Sequence, residues 1–213
     1  MRTLATARYL VALVFSEQRV LLPLVLFAAV LGVLFGGDPG PAPTPWAASA
    51  LAAYPVAAWL ALVVANVEDP VQRTVTVAAA GGRGRVTVGT LLVALAGDLL
   101  MTAIAVLWPN VSTPYDYVSG VLAQGVLAHL ACATAGTAVG LVCARPVIRR
   151  IGWSFCLAAV VVTVTAVQPW LPPVGTAVHA LTSGRALPVG SAVGGLVAAG
   201  VAAAVAWWVD RRR

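Results

Sequence analysis

Two groups of side chains in this sequence have the types and spacing to do chemistry. The first is intramembrane in character. Asp98 is the only acid deep inside an apolar stretch, and His129 lies near the middle of the next one. A carboxylate in hydrocarbon is costly, so Asp98 must face protein or water, or carry a proton. The two stretches are joined by a short loop, which makes them antiparallel neighbours and puts an Asp98–His129 contact within reach. Such a pair serves either as a polar spot on a substrate path or proton relay, or as a lock between two helices. Gln124 and Thr102 are alternative partners. The second group lies in residues 67–85. Here the acidic pair Glu68-Asp69 is followed by Pro70, Arg73, Arg83 and Arg85, in a chain with only 9% charged residues. A loop so rich in charge is where a soluble partner takes hold.

Composition says what must position these groups. The chain has 213 residues, 61% of them hydrophobic, with a mean hydropathy of +0.94. Soluble domains carry about a quarter charged residues. The expected fold is therefore an all-α integral membrane protein with one domain, residues 1–213, because no polar region is long enough to bury a soluble core. The net charge is +6, but the basic residues are spread over short loops rather than gathered on a face, which argues against nucleic acid. All 13 basic residues are Arg. Without a Lys the chain has no standard phosphate-binding P-loop; the nearest match, residues 84–90, has Thr90 where that Lys belongs. Cys132, Cys143 and Cys156 all sit in apolar stretches without a C-x-x-C spacing. They read as free buried thiols, not as a disulfide framework or a metal site.

Taken in order, residues 1–18 are too short an apolar segment to span and predict an interfacial helix on the inner leaflet. Six spans are expected at about 20–36, 46–66, 86–108, 118–144, 151–167 and 189–209. Trp46 and Tyr54 are available as interface anchors, and Pro55 predicts a kink. Residues 109–117 read as a loop with Trp108, Tyr115 and Tyr117 as an aromatic belt. Residues 168–188, broken by Pro172-Pro173 and Ser183-Gly184, predict a re-entrant or interfacial pair of short helices in the outer loop. His179 there reads as exposed. Between the second and third spans, Asp69 as N-cap, Pro70 at the first helical position and Gly81-Gly82 as terminator predict a short helix over 70–80. Six spans put twelve Arg on one side and only Arg185 on the other, a strong positive-inside pattern that places both termini in the cytoplasm; any odd number of spans would destroy it. Gly32/Gly36, Gly136/Gly140 and Gly190/Gly194 have the spacing that lets helix backbones approach, within the subunit or between subunits. No serine-hydrolase, zincin or other nucleophile constellation is present, and the sequon Asn110-Val-Ser112 carries no weight in a chain whose composition reads as bacterial.

In layout the chain resembles the permease subunits of bacterial type-2 (ABC-2) ABC exporters. The matching pieces are residues 3–17, Glu68 after the second span, the 70–80 helix, the Gly-Gly-Arg-Gly-Arg-Val turn at 81–86, and the loop 168–188. Family members carry more acidic residues on the short helix and a Gly-Thr where this chain has Arg73-Thr74. The resemblance implies a transport subunit without its own ATPase site or cofactor, with ATP and Mg²⁺ bound by a separate ABC ATPase. It also implies a second membrane subunit, identical or not, and location in the bacterial inner membrane. Glu68, Asp69, Arg73, Arg83 and Arg85 would seat the short helix in a cleft of the ATPase. The apolar path suits an amphipathic substrate. Two other readings stand beside it: a proton-coupled secondary transporter built on Asp98 and His129, and a membrane scaffold or immunity protein that transports nothing.

Overall fold

The structure is a computed structural model that describes residues 2–112, 119–148, 150–183 and 189–212. Among them every regular element is an α-helix: α1 (Arg2–Ser16), α2 (Leu21–Leu34), α3 (Thr44–Ala65), α4 (Pro70–Ala80), α5 (Arg83–Ser112), α6 (Ser119–Cys143), α7 (Ile151–Ala166), α8 (Val174–Thr182) and α9 (Val189–Arg211). Four of these, α3, α5, α6 and α9, are long and apolar enough to cross a membrane, and the count is five if α1 and α2, which meet at a 74° bend, form one broken span. That makes the chain a membrane protein by length and composition. The bend falls at Gln18, a non-glycine residue with φ 56°.

Six spans were expected, and the shortfall lies at the first and fifth. The segments 20–36 and 151–167 form the 14-residue α2 and the 16-residue α7. These are about 21 and 24 Å long, against a hydrocarbon core of about 30 Å. The third expected span is longer than its pattern predicts. α5 begins at Arg83, so Arg83 and Arg85 stand in its first turn rather than in a loop, and it continues through Pro109 to Ser112. A Pro that close to the end of a helix forfeits one backbone bond without stopping it. Tyr115, Tyr117, Arg149, Arg185 and Pro188 lie outside the described residues.

The core combines close helix approach at small residues with a few large buried side chains such as Phe27, Phe35 and Trp46. Lipid tails are as apolar as Leu, so packing inside a bilayer relies on van der Waals fit and small residues. The largest helix interface is α3 on α6, and α6 on α9 comes next. A Cβ on Gly136 would collide with the Tyr54 carbonyl, and one on Gly140 with the Ala58 carbonyl. This glycine pair therefore works within the subunit. Gly190, Gly194 and Gly32 face open space. Trp46 and Tyr54, expected as interface anchors, are instead buried. Trp46 fits against Gly125, where a Cβ would meet its ring at 2.7 Å, and the Tyr54 hydroxyl lies 2.7 Å from Thr165 Oγ1 on α7. Cys132 and Cys143 are buried and Cys156 is exposed, all three free; Cys156 departs from the expectation because α7 turns most of its surface outward.

The bundle has two distinct ends. At one, Ser49 meets His129 near the start of α3, and α8 joins the start of α9 through a Thr176–Ser191 hydroxyl contact of 3.2 Å. At the other, Ala65, Arg83, Arg145 and Asp210 line one cleft, and Arg19 sits with Asn66 and Ser154 in a groove nearby. α3, α5, α6 and α9 each join these ends. α2 starts beside Arg19 at the cleft end, and α7 starts near Ser154 there and leads to α8. In place of a pair of short helices, α8 is the one helix described in 168–188. Its buried Val174, Ala177 and Leu181 pack on α3 and α6, while His179 is exposed.

Candidate functional site

α4 is positioned by residues whose types alone predict it. Asp69 Oδ1 accepts from the backbone N–H groups of Val71 at 2.7 Å and Gln72 at 2.9 Å, which satisfies two donors that a helix start leaves open. Pro70 then takes a first-turn position, where its missing N–H is harmless. At the other end Gly81 adopts φ 76°, and the N–H groups of Gly81 and Gly82 return to the carbonyls of Ala78 and Val77, a left-handed stop that favours glycine. Arg85 Nη1 donates to the Ala80 carbonyl at 2.8 Å, adding positive charge where the helix dipole is negative.

Besides the Arg85 bond from α5, three side-chain contacts hold α4 in place. Gln72 Nε2 donates to the Tyr9 hydroxyl on α1 at 2.7 Å. Thr76 donates to Glu68 Oε1. Arg73 pairs with Asp210, near the end of α9, at 3.6 Å. The opposite face is bare: Val71 is 74% exposed and Val75 65%. Between α4, the first turn of α5, the turn after α6 and the end of α9 lies a cleft of about 720 Å³, with Glu68, Arg73, Arg83, Arg145 and Asp210 in its walls.

The five charges expected to meet a partner therefore have different fates. Glu68 is buried at 4% exposure and is bonded within the chain. Asp69 caps α4, Arg73 is held by Asp210, and Arg85 caps the far end. Asp69, Arg83 and Arg85 are exposed, and of the five Arg83 alone has a side chain in neither a hydrogen bond nor an ion pair among the described residues. Asp210 and Arg145 were not singled out from the sequence. Asp210 carried a signal nonetheless, as the sole acid beside a terminal run of Arg.

The intramembrane group is not one site. Asp98 is buried and its Oδ2 accepts from Thr137 Oγ1 at 2.8 Å, while Oδ1 has no partner among the described residues. His129 is buried between the Gly125 carbonyl, 2.7 Å from Nδ1, and Ser49 Oγ, 3.0 Å from Nε2. The carbonyl needs a proton on Nδ1, so Nε2 accepts from Ser49. Thr137 and His129 are separated on α6 by about 12 Å of helix, and Asp98 sits at the level of Thr137. Gln124 is half-buried on the same helix. Asp98 binds α5 to α6 and His129 binds α3 to α6, each as a separate polar tie. Comparison with protein-family models, with curated protein sequences and with solved structures returns no match.

Proposed function

We propose that the chain is the membrane-spanning subunit of an ATP-driven exporter of the type-2 ABC class, with α4 as the helix through which a separate ATPase drives it. The observation that carries this is the mounting of α4. It is a capped helix strung between α3 and α5, tied to α1 by Gln72 and to α9 by Arg73, with Val71 and Val75 exposed on its free face. A push on that face passes to four helices at once. On this reading α2 and α7 also cross the bilayer, giving six spans with both termini in the cytoplasm. α1 lies on the inner leaflet, and the Arg-rich end faces the cytoplasm. Two such subunits, identical or not, line a path for an amphipathic substrate. ATP and Mg²⁺ bind the ATPase, and this chain does no covalent chemistry. A relay through Asp98 and His129 has less support, since each is already bonded elsewhere.

The test is affinity purification of the tagged chain from its native membrane in mild detergent. A P-loop ATPase should accompany it in comparable amount, and Val71→Glu with Val75→Glu should lose the ATPase while the chain stays folded. Transport by the chain with no ATPase associated, or equal recovery with the double variant, contradicts the proposal.

A further inference from the structure

The cleft beside α4 holds charge that nothing among the described residues answers. Glu68 is 4% exposed; Thr76 occupies its Oε1, and its Oε2 has no partner among the described residues. A buried carboxylate oxygen without a donor is costly, so a donor from outside the chain has a place here. Arg83 and Arg145 line the same cleft, and neither is in an ion pair among the described residues. The buried Nε of Arg73 is also unbonded. The cleft thus offers an acceptor for one cation and donors for one anion.

A second, apolar space is lined by residues that follow Arg83 on α5 and precede Asp210 on α9. A groove of about 390 Å³ between α5 and α9 is lined by small and apolar residues, among them Gly84, Leu91, Gly200, Ala203 and Trp207. It starts beside Arg83 on α5 and one turn from Asp210 on α9. From there it reaches Leu91 and Gly200, roughly 12–15 Å of helix. Arg211 and Arg212 lie over the rings of Trp207 and Trp208, at 5.5 and 3.7 Å from their centroids. Trp and Arg together at a helix end mark the level of lipid headgroups.

We propose that the cleft and the groove together bind one glycerophospholipid with a primary-amine headgroup. Its ammonium meets Glu68 Oε2, its phosphate meets Arg83 and Arg145, and one acyl chain lies between α5 and α9. A primary ammonium donates hydrogen bonds to a buried oxygen, which a quaternary choline cannot do. A glycerol headgroup brings no cation to answer Glu68, and a serine headgroup would bring a further carboxylate toward Glu68 and Asp210. The inference needs only that these helices lie in a bilayer, so it stands apart from the ATPase reading.

The experiment is native mass spectrometry of the delipidated chain, titrated with dioleoyl phosphatidylethanolamine, phosphatidylcholine and phosphatidylglycerol, and with water-soluble glycerophosphoethanolamine. The ethanolamine lipid should bind at least about fivefold tighter than the other two, the scale of one charge contact at a membrane surface. Glu68→Gln keeps the Thr76 bond and should bring it down to the choline level. Gly200→Leu, where an added side chain meets open space, should weaken all three diacyl lipids. Arg83→Gln, at an exposed and unpaired residue, should weaken them too, and it supplies the answer if Glu68→Gln fails to fold. The proposal falls if ethanolamine and choline lipids bind equally or the glycerol lipid binds best. It also falls if a folded Glu68→Gln or Arg83→Gln variant binds as the wild type does. Glycerophosphoethanolamine binding as tightly as the diacyl lipid would make the ligand a soluble one and overturn the lipid assignment.

Discussion

Asp69 and Glu68 are adjacent acids with different surroundings. Asp69 is exposed and accepts two backbone N–H bonds at the start of α4. Asp69→Ala should lower stability by about 1 kcal/mol, while Asp69→Asn or Asp69→Ser should restore most of it, as read by thermal unfolding in detergent. A loss that Asn and Ser do not repair would mean that charge, not capping, is what the position supplies. The cap was legible in the sequence because capping depends on residue type and local order alone: Asp, then Pro, then a Gly pair. Glu68 was not legible in the same way. Its partner, Thr76, lies about two turns on in α4, and the cleft it lines is closed by Arg145 and Asp210 from far along the chain. Asp98 and His129 illustrate the same limit. Sequence gives their rough depth, but it does not give the helix rotation that hands Asp98 to Thr137 and His129 to Ser49.

At the scale of elements, two glycine pairs with the same spacing part company. Gly136 and Gly140 let α6 press against the backbone of α3, whereas Gly190 and Gly194 on α9 meet nothing within the subunit. Gly136→Leu should force α3 and α6 apart and deplete folded protein, with a loss of about 1–3 kcal/mol or more from overpacking. Gly194→Leu should leave the unfolding temperature of the isolated subunit unchanged. Equal damage from both, measured by size-exclusion chromatography and thermal unfolding, would refute the packing described. Spacing alone cannot separate the pairs, because it says that a helix face is flat and not what lies opposite. Helix ends were legible where Gly or Asp punctuates them, as at α4, and misread where Pro109 stands inside α5 rather than ending it.

At the scale of the molecule, the short α7 decides the topology. It runs from the end that holds the cleft toward α8 at the opposite end, yet has only 16 residues. If it crosses the bilayer, the apolar residues flanking it and local thinning make up the difference. A cysteine placed at Trp170 in a chain lacking Cys156 should then react with an impermeant maleimide from outside the cell, and one at Gly82 only after the membrane is opened. Labelling of both from the same side would remove α7 as a span. The positive-inside reading gains from the arrangement, because Arg19, Arg73, Arg83, Arg145 and Arg211 all gather at the cleft end.

The whole account turns on what touches the free face of α4. A photo-crosslinking amino acid placed at Val75, 65% exposed, and irradiated in native membranes, reports this directly. The account predicts an adduct with a P-loop ATPase that is absent when the same probe replaces Val33 on α2, 83% exposed. Adducts at Val75 with lipid alone, in cells where the protein is active, would contradict it.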